Sequence, residues 1–238
     1  KMGISDGDFY KCVVDKLVES QNPFYINYEV PSFGKYLYGL AEKTSGNPYW
    51  VSLGLYLTSV AVLYFLAKDI FDNKLVSLLA VFLFVTSPFV ATQIRETMLD
   101  LPLMSMYLIH IWLFIRFLKI KNIYYLLSSG IFLGLATGVK VGVYSPFVLL
   151  LGYILIGINK KHLLKKLILY TGSVLGGYVL SYFCYFIRHP NPIPWIRLHR
   201  KPLTFYLTPS NTVDKWNQWK GIFLNIYQGW WQPGKTIA

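Results

Sequence analysis

The chain is poor in charged residues, which make up only 14% of its 238 amino acids. Soluble domains usually carry about 25%, so this shortage excludes an ordinary globular protein with a fully hydrated surface. Cysteine is scarce as well, because Cys12 and Cys184 are the only two. Since Cys184 falls inside an apolar stretch, we expect no disulfide between them, and the cysteines do not indicate a redox compartment.

The abundant residues are apolar and aromatic, at 54% and 18% of the chain. About 20 apolar residues cross a bilayer as a helix, and the sequence contains six candidate stretches. The candidates are Val51–Ala67, Leu75–Ala91, Leu99–Leu118, Tyr124–Gly138, Val141–Ile158 and Leu167–Ile187. Their period is helical, without the ten-residue alternation of a membrane β-barrel. The sequence therefore predicts an all-α, polytopic transmembrane helical bundle of about six spans.

Three parts follow from this pattern. Residues 1–50 form a polar segment with an acidic motif and amphipathic helices, residues 51–187 form the six-span bundle, and residues 188–238 form an aromatic-rich segment. The abrupt ends at Lys1 and Ala238 favour a piece of a longer protein. No room is left for a separate soluble domain.

Basic residues in the short loops predict how the spans are oriented. Nine of them follow the first, third and fifth spans, whereas two follow the second and fourth. The nine are Lys68, Lys74, Arg116, Lys119, Lys121, Lys160, Lys161, Lys165 and Lys166, and the two are Arg95 and Lys140. Positively charged short loops stay on the cytoplasmic side, so both long segments and the two lone cations should face the extracytoplasmic space or a lumen. The net charge of +12 then reflects membrane topology and lipid headgroups rather than nucleic acid.

Three local patterns predict details of the bundle. Gly172 and Gly176 form a small-xxx-small pattern suited to close helix packing. Ser87-Pro88 should kink or end the second span, since proline removes a backbone hydrogen bond. His110 lies in the middle of the third span, where we expect it to hydrogen-bond to a neighbouring helix.

Charged residues at the outer ends of the spans are the candidate functional groups. Asp6 and Asp8 begin an outer helix that should run from about Phe9 to Glu19, where they would also serve as first-turn carboxylates favoured by the helix dipole. A turn over residues 31–35 leads into a second, interfacial helix. These two helices form an amphipathic outer-face loop.

Further charges occur on the same predicted face. Arg95 and Asp100 flank the mouth of the third span and would also fit a capping carboxylate with a salt-bridge partner. Lys140, between the fourth and fifth spans, would also fit a lysine that snorkels to the interface. Brought together, these cations would bind a phosphate while a carboxylate removes a proton from a hydroxyl or amine.

The order and spacing of these residues resemble the C-type glycosyltransferases, which include protein O-mannosyltransferases and lipid A aminoarabinose transferases. The resembling elements are Asp6 with Tyr10 (D-E-x-x-Y), residues 28–35 (H-P-P-L-G-K), Arg95 with Leu99 and Asp100 (R-x-x-x-L-D), and residues 134–140 (G-L-A-x-S-x-K). The chain departs from the family pattern at three positions. Gly7 stands where Glu is usual, with Asp8 as a substitute carboxylate, and Val30 and Ser32 replace the usual His and second Pro.

The resemblance implies an inverting transfer of a sugar from a polyprenyl-phosphate donor to an extracytoplasmic acceptor, which is a protein hydroxyl or a lipid or glycan. It implies Asp6 or Asp8 as the general base and Asp100 as an organising carboxylate of the catalytic site. It places Arg95, Lys140 and Lys35 at the donor phosphate. The implied substrate-loop residues are Tyr10, Glu29 and Pro31.

Other functions remain open on the sequence alone. A transporter or flippase would need charges along a path through the membrane and related half-repeats, whereas a non-catalytic assembly or sensor protein would need neither. The aromatic tail fits a membrane interface or the stacking of sugars. No cofactor is indicated, although a divalent metal on Asp6, Asp8 and Asp100 is an open alternative without supporting ligand spacing. We expect a multi-pass protein of the cell membrane, or of the endoplasmic reticulum in a eukaryote.

Overall fold

The chain folds into a helical bundle, which confirms the predicted class. The computed structural model describes residues 6–18, 22–28, 30–140, 144–158 and 162–201 and, in the tail, 204, 220, 224, 227–228 and 236–237. The helices within this part are α1 (Asp6–Val18), α2 (Phe33–Ser45), α3 (Tyr49–Phe71), α4 (Lys74–Val85), α5 (Pro88–Arg95), α6 (Asp100–Ile120), α7 (Ile123–Val139), α8 (Tyr144–Gly157), α9 (Leu163–Leu180), α10 (Phe183–Arg188) and α11 (Pro192–Leu198). The tail adds two short antiparallel strands, β1 (Tyr227–Gln228) and β2 (Thr236–Ile237).

Within the described part of the chain, three helices, α3, α6 and α9, are long and apolar enough to cross a bilayer. α4 and α5 make a fourth span when taken together, and they meet at an angle of 58°. This bend confirms the kink predicted at Ser87-Pro88, because Ser87 is extended and Pro88 begins α5. α7 and the apolar part of α8 are shorter than a full crossing. The polytopic class is confirmed, whereas the count of six spans stays a prediction.

The last predicted span is not one continuous helix. α9 ends at Leu180, and a turn at Ser181 and Tyr182 separates it from α10. The fifth predicted span begins at residue 141, but residues 141–143 lie outside the described part of the chain. Cys12 and Cys184 are both free.

The basic loops gather at one end of the bundle. Asp69, near the end of α3, accepts a hydrogen bond from Trp112 Nε1 at 3.0 Å and lies 3.2 Å from Arg116 Nε. The Lys119 ammonium donates to the Asp69 carbonyl oxygen. α3 and α6 therefore end side by side, and Lys121 lines a groove with Lys166 at the start of α9. This grouping agrees with the loop pattern in the sequence.

Polar residues inside the bundle are paired across helices. His110 Nδ1 lies 2.8 Å from Ser129 Oγ and 3.0 Å from the Ser129 carbonyl oxygen on α7. The predicted contact of His110 with a neighbouring helix is confirmed. Ser59 on α3 and Ser105 on α6 share a second buried hydrogen bond of 2.8 Å. These pairs fix the rotation of α3, α6 and α7 about their axes.

α7 and α9 approach closely because small residues line both facing sides. A Cβ on Gly134 would overlap the backbone of α9 at Val174, and a Cβ on Gly177 would overlap the backbone of α7 at Ile131. The same line continues on either side of this contact. Its further pairs are Gly130 with Ser173 and Gly138 with Ser181.

The predicted packing role of Gly172 and Gly176 is wrong. A Cβ at either position would meet no described residue within 4 Å. The packed stripe of α9 is instead Ser173, Gly177 and Ser181, displaced by one residue along the same spacing of four. Both stripes fit a small-xxx-small pattern, and α9 is apolar on most sides, so the sequence did not distinguish which of them faces α7.

Replacing Gly134 by valine should destabilise the bundle, because the added methyl groups can be accommodated only if the α9 backbone moves away. Overpacking of this kind costs about 1–3 kcal/mol, measurable as a lower midpoint of thermal unfolding in detergent. Gly176→Val, on the open side of α9, is the matched control and should change the free energy of unfolding by less than about 0.5 kcal/mol. Equal midpoints for the two variants would contradict the packing described.

The two outer helices cover the end of the bundle that lies opposite the basic loops. α1 buries Val13, Val14 and Leu17 and exposes Lys11 and Lys16, so it is amphipathic as predicted. It begins at Asp6 rather than near Phe9, which puts both aspartates in its first turn. A core of apolar residues joins these helices to the spans. Its buried members are Val14, Phe33, Tyr38, Leu99, Met106, Leu135, Ala136 and Val139.

Candidate functional site

Asp100 and Lys140 meet at the end of the bundle that α1 and α2 cover. Lys140 Nζ donates to Asp100 Oδ1 at 3.0 Å, although 40 residues separate the two in the sequence. Asp100 opens α6 and Lys140 caps the end of α7, so each charge lies at the helix end whose dipole favours it. The side chains are 36% and 46% exposed, which leaves both groups accessible to a ligand.

Gly34 brings α2 against this pair. A Cβ at Gly34 would lie 2.8 Å from Leu99 Cδ2 and 3.2 Å from Val139 Cγ1, so the absence of a side chain permits the approach. Leu99 and Val139 directly precede Asp100 and Lys140 in the sequence. Gly34, in the first turn of α2, thus lies next to the residues that directly precede both charges.

Hydrogen bonds hold the loop between α5 and α6, which carries the backbone into Asp100. The Tyr38 hydroxyl donates to the Met98 carbonyl oxygen at 2.9 Å. Ser52 Oγ lies 3.4 Å from the Tyr38 hydroxyl and 3.5 Å from the Glu96 carbonyl oxygen. Tyr38 and Ser52 are both fully buried, so water does not compete for these bonds.

Burial raises the pKa of Tyr38 to about 12, against the lowering effect of the Ser52 hydrogen bond and with a further raising effect of the Asp100 charge. The phenol therefore stays protonated and remains a donor to Met98 throughout the physiological range. The sequence did not indicate Tyr38, Ser52 or Thr97 as contributors to the site. A tyrosine on an interfacial helix is too common a feature to single one out.

Thr97 connects the same loop to α1. Its Oγ1 donates to the Gly7 carbonyl oxygen at 2.6 Å in a buried contact between residues 90 positions apart. A Cβ on Gly7 would lie 3.6 Å from Glu96 Cβ and 3.7 Å from Thr97 N, so this turn of helix packs directly on the loop. The backbone that carries Asp6 and Asp8 is therefore fixed beside the segment that leads into Asp100.

The other two predicted cations lie in different settings. Arg95 is the last residue of α5, is exposed, and makes no ion pair with a described residue. Lys35 is fully buried, and its ammonium donates to the Asn27 carbonyl oxygen at 3.0 Å, to Asn27 Oδ1 at 2.9 Å and to the Val30 carbonyl oxygen at 2.7 Å. Lys35 thus fastens the connection between α1 and α2. Its predicted role at a phosphate stays a prediction.

The substrate-loop residues are placed only in part. Tyr10 is half-buried and packs against the core beneath the site, and Pro31 is buried. Glu29 lies outside the described residues, as do the side chains of Asp6 and Asp8. Among the side chains that the structure describes, no three His, Cys, Asp or Glu residues gather as a metal site. A metal on Asp6, Asp8 and Asp100 stays an open prediction.

An aromatic cluster around His199 joins α11 to the connection between α1 and α2. His199 Nδ1 donates to the Trp195 carbonyl oxygen at 2.8 Å, and Nε2 accepts from the Tyr178 hydroxyl at 3.0 Å. Burial lowers the pKa of His199, against a smaller raising effect of its bond to Trp195, and so favours the neutral imidazole that these bonds require. The His199 ring also lies 4.9 Å from Phe24, centroid to centroid. These rings pack on one another and support the end of the bundle that α1 and α2 cover.

A comparison with protein families identifies the chain. The family model described as dolichyl-phosphate-mannose-protein mannosyltransferase matches residues 33–186, which is more than half of the 238 residues. The chain belongs to the dolichyl-phosphate-mannose-protein mannosyltransferase family. No curated protein and no solved structure matches it significantly.

Membership of this mannosyltransferase family confirms the resemblance found in the sequence. The chain is a membrane glycosyltransferase of the mannosyltransferase type. The matched segment contains Lys35, Arg95, Asp100 and Lys140, whereas Asp6 and Asp8 precede it. The contact of Thr97 with Gly7 is what relates these two aspartates to the matched segment.

Proposed function

We propose that this chain transfers a sugar from a polyprenyl-phosphate donor to a hydroxyl acceptor at the end of the bundle that carries Asp100 and Lys140. The observation that carries the proposal is the 3.0 Å pair of these residues, beside which Thr97 fixes the first turn of α1. The site thus combines an accessible cation with a helix turn that holds two aspartates. The family's description supports a lipid-linked mannose donor and a protein acceptor, with a lipid or glycan acceptor as the alternative.

Lys140 and Arg95 bind the donor phosphate in this mechanism. A phosphate competes with Asp100 for the Lys140 ammonium, and both partners are exposed enough to separate. An exposed ion pair contributes only about 0–1 kcal/mol to stability, so the exchange costs little. Arg95, the last residue of α5 and five positions before Asp100, adds a guanidinium, whose geometry suits phosphate oxygens. Lys35 contributes indirectly, because it holds the connection between α1 and α2 in place.

The first turn of α1 supplies the base. A carboxylate of Asp6 or Asp8 accepts the proton of the acceptor hydroxyl as its oxygen attacks the anomeric carbon. A new carbon–oxygen bond forms on one face while the bond to the phosphate oxygen breaks on the other. The phosphate leaves with the bonding electron pair as polyprenyl phosphate, stabilised by Lys140 and Arg95. Such a single displacement inverts the anomeric configuration.

The sidedness of the site follows from the loops. Seven of the nine loop cations belong to the described residues, and they lie toward the opposite end of the bundle, at the ends of α3 and α6 and the starts of α4 and α9. By the positive-inside rule, that end faces the cytoplasm. The Asp100–Lys140 end then opens to the extracytoplasmic space or a lumen. The donor lipid and the acceptor would meet on that side.

Sugar transfer by the purified full chain in proteoliposomes tests the proposal. The donors to compare are radiolabelled mannosyl phosphoryl polyprenol and a nucleotide-linked mannose, with a hydroxyl-containing peptide as acceptor. We expect label in the peptide from the lipid-linked donor only. The anomeric configuration of the product, determined by NMR, should be inverted relative to the donor. Movement of labelled lipid across the bilayer without a new glycosidic bond would favour a flippase instead and overturn the proposal.

Tyr38→Phe should slow the transfer while preserving the fold. The change removes only the hydroxyl that donates to Met98, so the segment before Asp100 loses one of its supports, at a cost in stability of about 1 kcal/mol. We expect a roughly three- to tenfold lower turnover in the proteoliposome assay, comparable to that cost. Tyr56→Phe is the matched control, because Tyr56 on α3 stacks on Phe84, away from this loop. Equal turnover for the two variants would contradict a positioning role for Tyr38.

A further inference from the structure

A groove at the basic end of the bundle is not used by the proposed sugar transfer. It lies between the end of α6, the end of α8 and the start of α9, with a cavity volume of about 120 Å³. α6 has 21 residues, a length of roughly 30 Å, so the groove lies about one membrane thickness from Asp100. Its lining is Phe117, Leu118, Leu155, Ile156 and Ile158, with Lys121 and Lys166.

The described lining of the groove combines an apolar wall with positive charge. Phe117 and Ile156 are buried at its base, whereas Ile158 is 77% exposed at its edge. Among the described residues of the lining, only Lys121 and Lys166 are charged, and neither makes an ion pair with a described residue. The described carboxylates at this end are Asp69, which is already engaged by Arg116 and Trp112, and Asp72, which caps α3.

Lys121 also occupies an unusual backbone position. It caps α6 in the left-handed region, with φ of 61°, where glycine or asparagine fits at lower cost. A lysine at that position directs a positive charge to the mouth of the groove. The arrangement is complementary to an anion that carries an alkyl chain.

We propose that this groove binds an anionic phospholipid of the leaflet at the basic end, with an acyl chain along the apolar wall and the headgroup phosphate on Lys121 and Lys166. Basic pockets between membrane helices suit such headgroups. The volume is well below the roughly 300 Å³ or more of sites for drug-sized ligands, so the groove suits part of an alkyl chain better than a nucleotide sugar. The proposal does not depend on the sugar-transfer chemistry.

Thermal unfolding and native mass spectrometry of the purified full chain in neutral detergent test this site. The probes are phosphatidylglycerol, phosphatidylcholine with the same acyl chains, and inorganic phosphate. We expect phosphatidylglycerol to raise the unfolding midpoint and to remain bound as one retained lipid. Phosphatidylcholine should bind at least about tenfold more weakly, and inorganic phosphate should have no effect at the same concentration, since both the charge and the chain are needed.

Paired variants distinguish specific lipid binding in the groove from general electrostatic attraction of anionic lipid to the basic end. Lys121→Gln with Lys166→Gln should weaken phosphatidylglycerol binding roughly tenfold or more, as expected for two lysines at a lipid headgroup. Lys74→Gln with Lys165→Gln removes the same charge from exposed positions at the same end and should leave the affinity nearly unchanged. Leu155→Trp keeps both lysines but fills the groove, and it should also abolish the retained lipid.

Two results would overturn the proposal. Equal weakening in the two double variants would mean that the basic end attracts anionic lipid without a site. Equal affinity for phosphatidylglycerol and phosphatidylcholine would mean that the two lysines do not select a headgroup with a net negative charge. If a variant unfolds at a lower midpoint, the lipid-induced increment above its own midpoint remains the measured quantity.

Discussion

Lys140→Met should reduce sugar transfer by roughly a hundredfold or more, which is the usual effect of removing one preorganised charge-stabilising group from an active site. Methionine keeps the length and apolar stem of lysine but leaves the donor phosphate without the ammonium that faces Asp100 at 3.0 Å. The measurement is the rate of label transfer in proteoliposomes at saturating acceptor. Binding of the lipid-linked donor should weaken in parallel, because the same charge binds the phosphate before and during the reaction.

The loss should be separable from any effect on folding. The Asp100–Lys140 pair is 36% and 46% exposed, so its rupture leaves a hydrated carboxylate and costs little stability. We therefore expect a normal unfolding midpoint and normal abundance for Lys140→Met. Lys140→Arg keeps the charge and should retain part of the activity.

Lys43→Met is the control for charge alone. Lys43 is exposed in the last turn of α2, at the same end of the bundle but without the pairing to Asp100. The Lys43→Met variant should transfer sugar at the wild-type rate. Wild-type activity in Lys140→Met would remove Lys140 from the mechanism, whereas equal losses in Lys43→Met and Lys140→Met would indicate that only the overall charge of this face matters.

Features set by local sequence were predictable. Pro88 dictates the bend between α4 and α5 wherever the rest of the chain lies, because its ring prevents a continuous helix. The amphipathic face of α1 follows in the same way from the spacing of Val13, Val14 and Leu17. The grouping of Asp100 with Lys140 was also expected, since each lies at a span end on the same predicted side.

Features that depend on which helix face meets which neighbour were not predictable. Gly172 and Gly177 are equivalent as small residues on an apolar helix, and only the packing of α7 decides that Gly177 is the one in contact. Lys35 reads from the sequence as a free cation beside the site. In the folded chain its ammonium is saturated by Asn27 and Val30, because burial of the start of α2 leaves it no access to water.

The segment 96–98 connects the two halves of the candidate site. Met98 accepts from Tyr38, and Thr97 donates to Gly7, so α1, α2 and the start of α6 are positioned by one short stretch of backbone. The charges on either side of it have different tasks in the proposed mechanism. Lys140 and Arg95 bind the donor, and the aspartates of α1 act on the acceptor, so their variants should fail in different ways.

Asp6→Asn or Asp8→Asn should abolish transfer while leaving the chain inserted and abundant. A positioned general base contributes roughly 10²- to 10⁴-fold to the rate, and an amide cannot accept the acceptor's proton. Both residues lie in the first turn of α1, so the two single variants decide which carboxylate is the base. The variant that keeps substantial activity identifies the aspartate that serves only the helix terminus.

Donor binding separates this loss from that of Lys140→Met. The phosphate contacts belong to Lys140 and Arg95, so an asparagine at the base should leave the affinity for mannosyl phosphoryl polyprenol nearly unchanged while turnover stops. Asp72→Asn is the matched control, since it makes the same carboxylate-to-amide change at an exposed left-handed cap at the opposite end, a conformation that asparagine tolerates. Full transfer by the double variant Asp6→Asn, Asp8→Asn would exclude α1 as the source of the base and require the proton to be accepted elsewhere in the site.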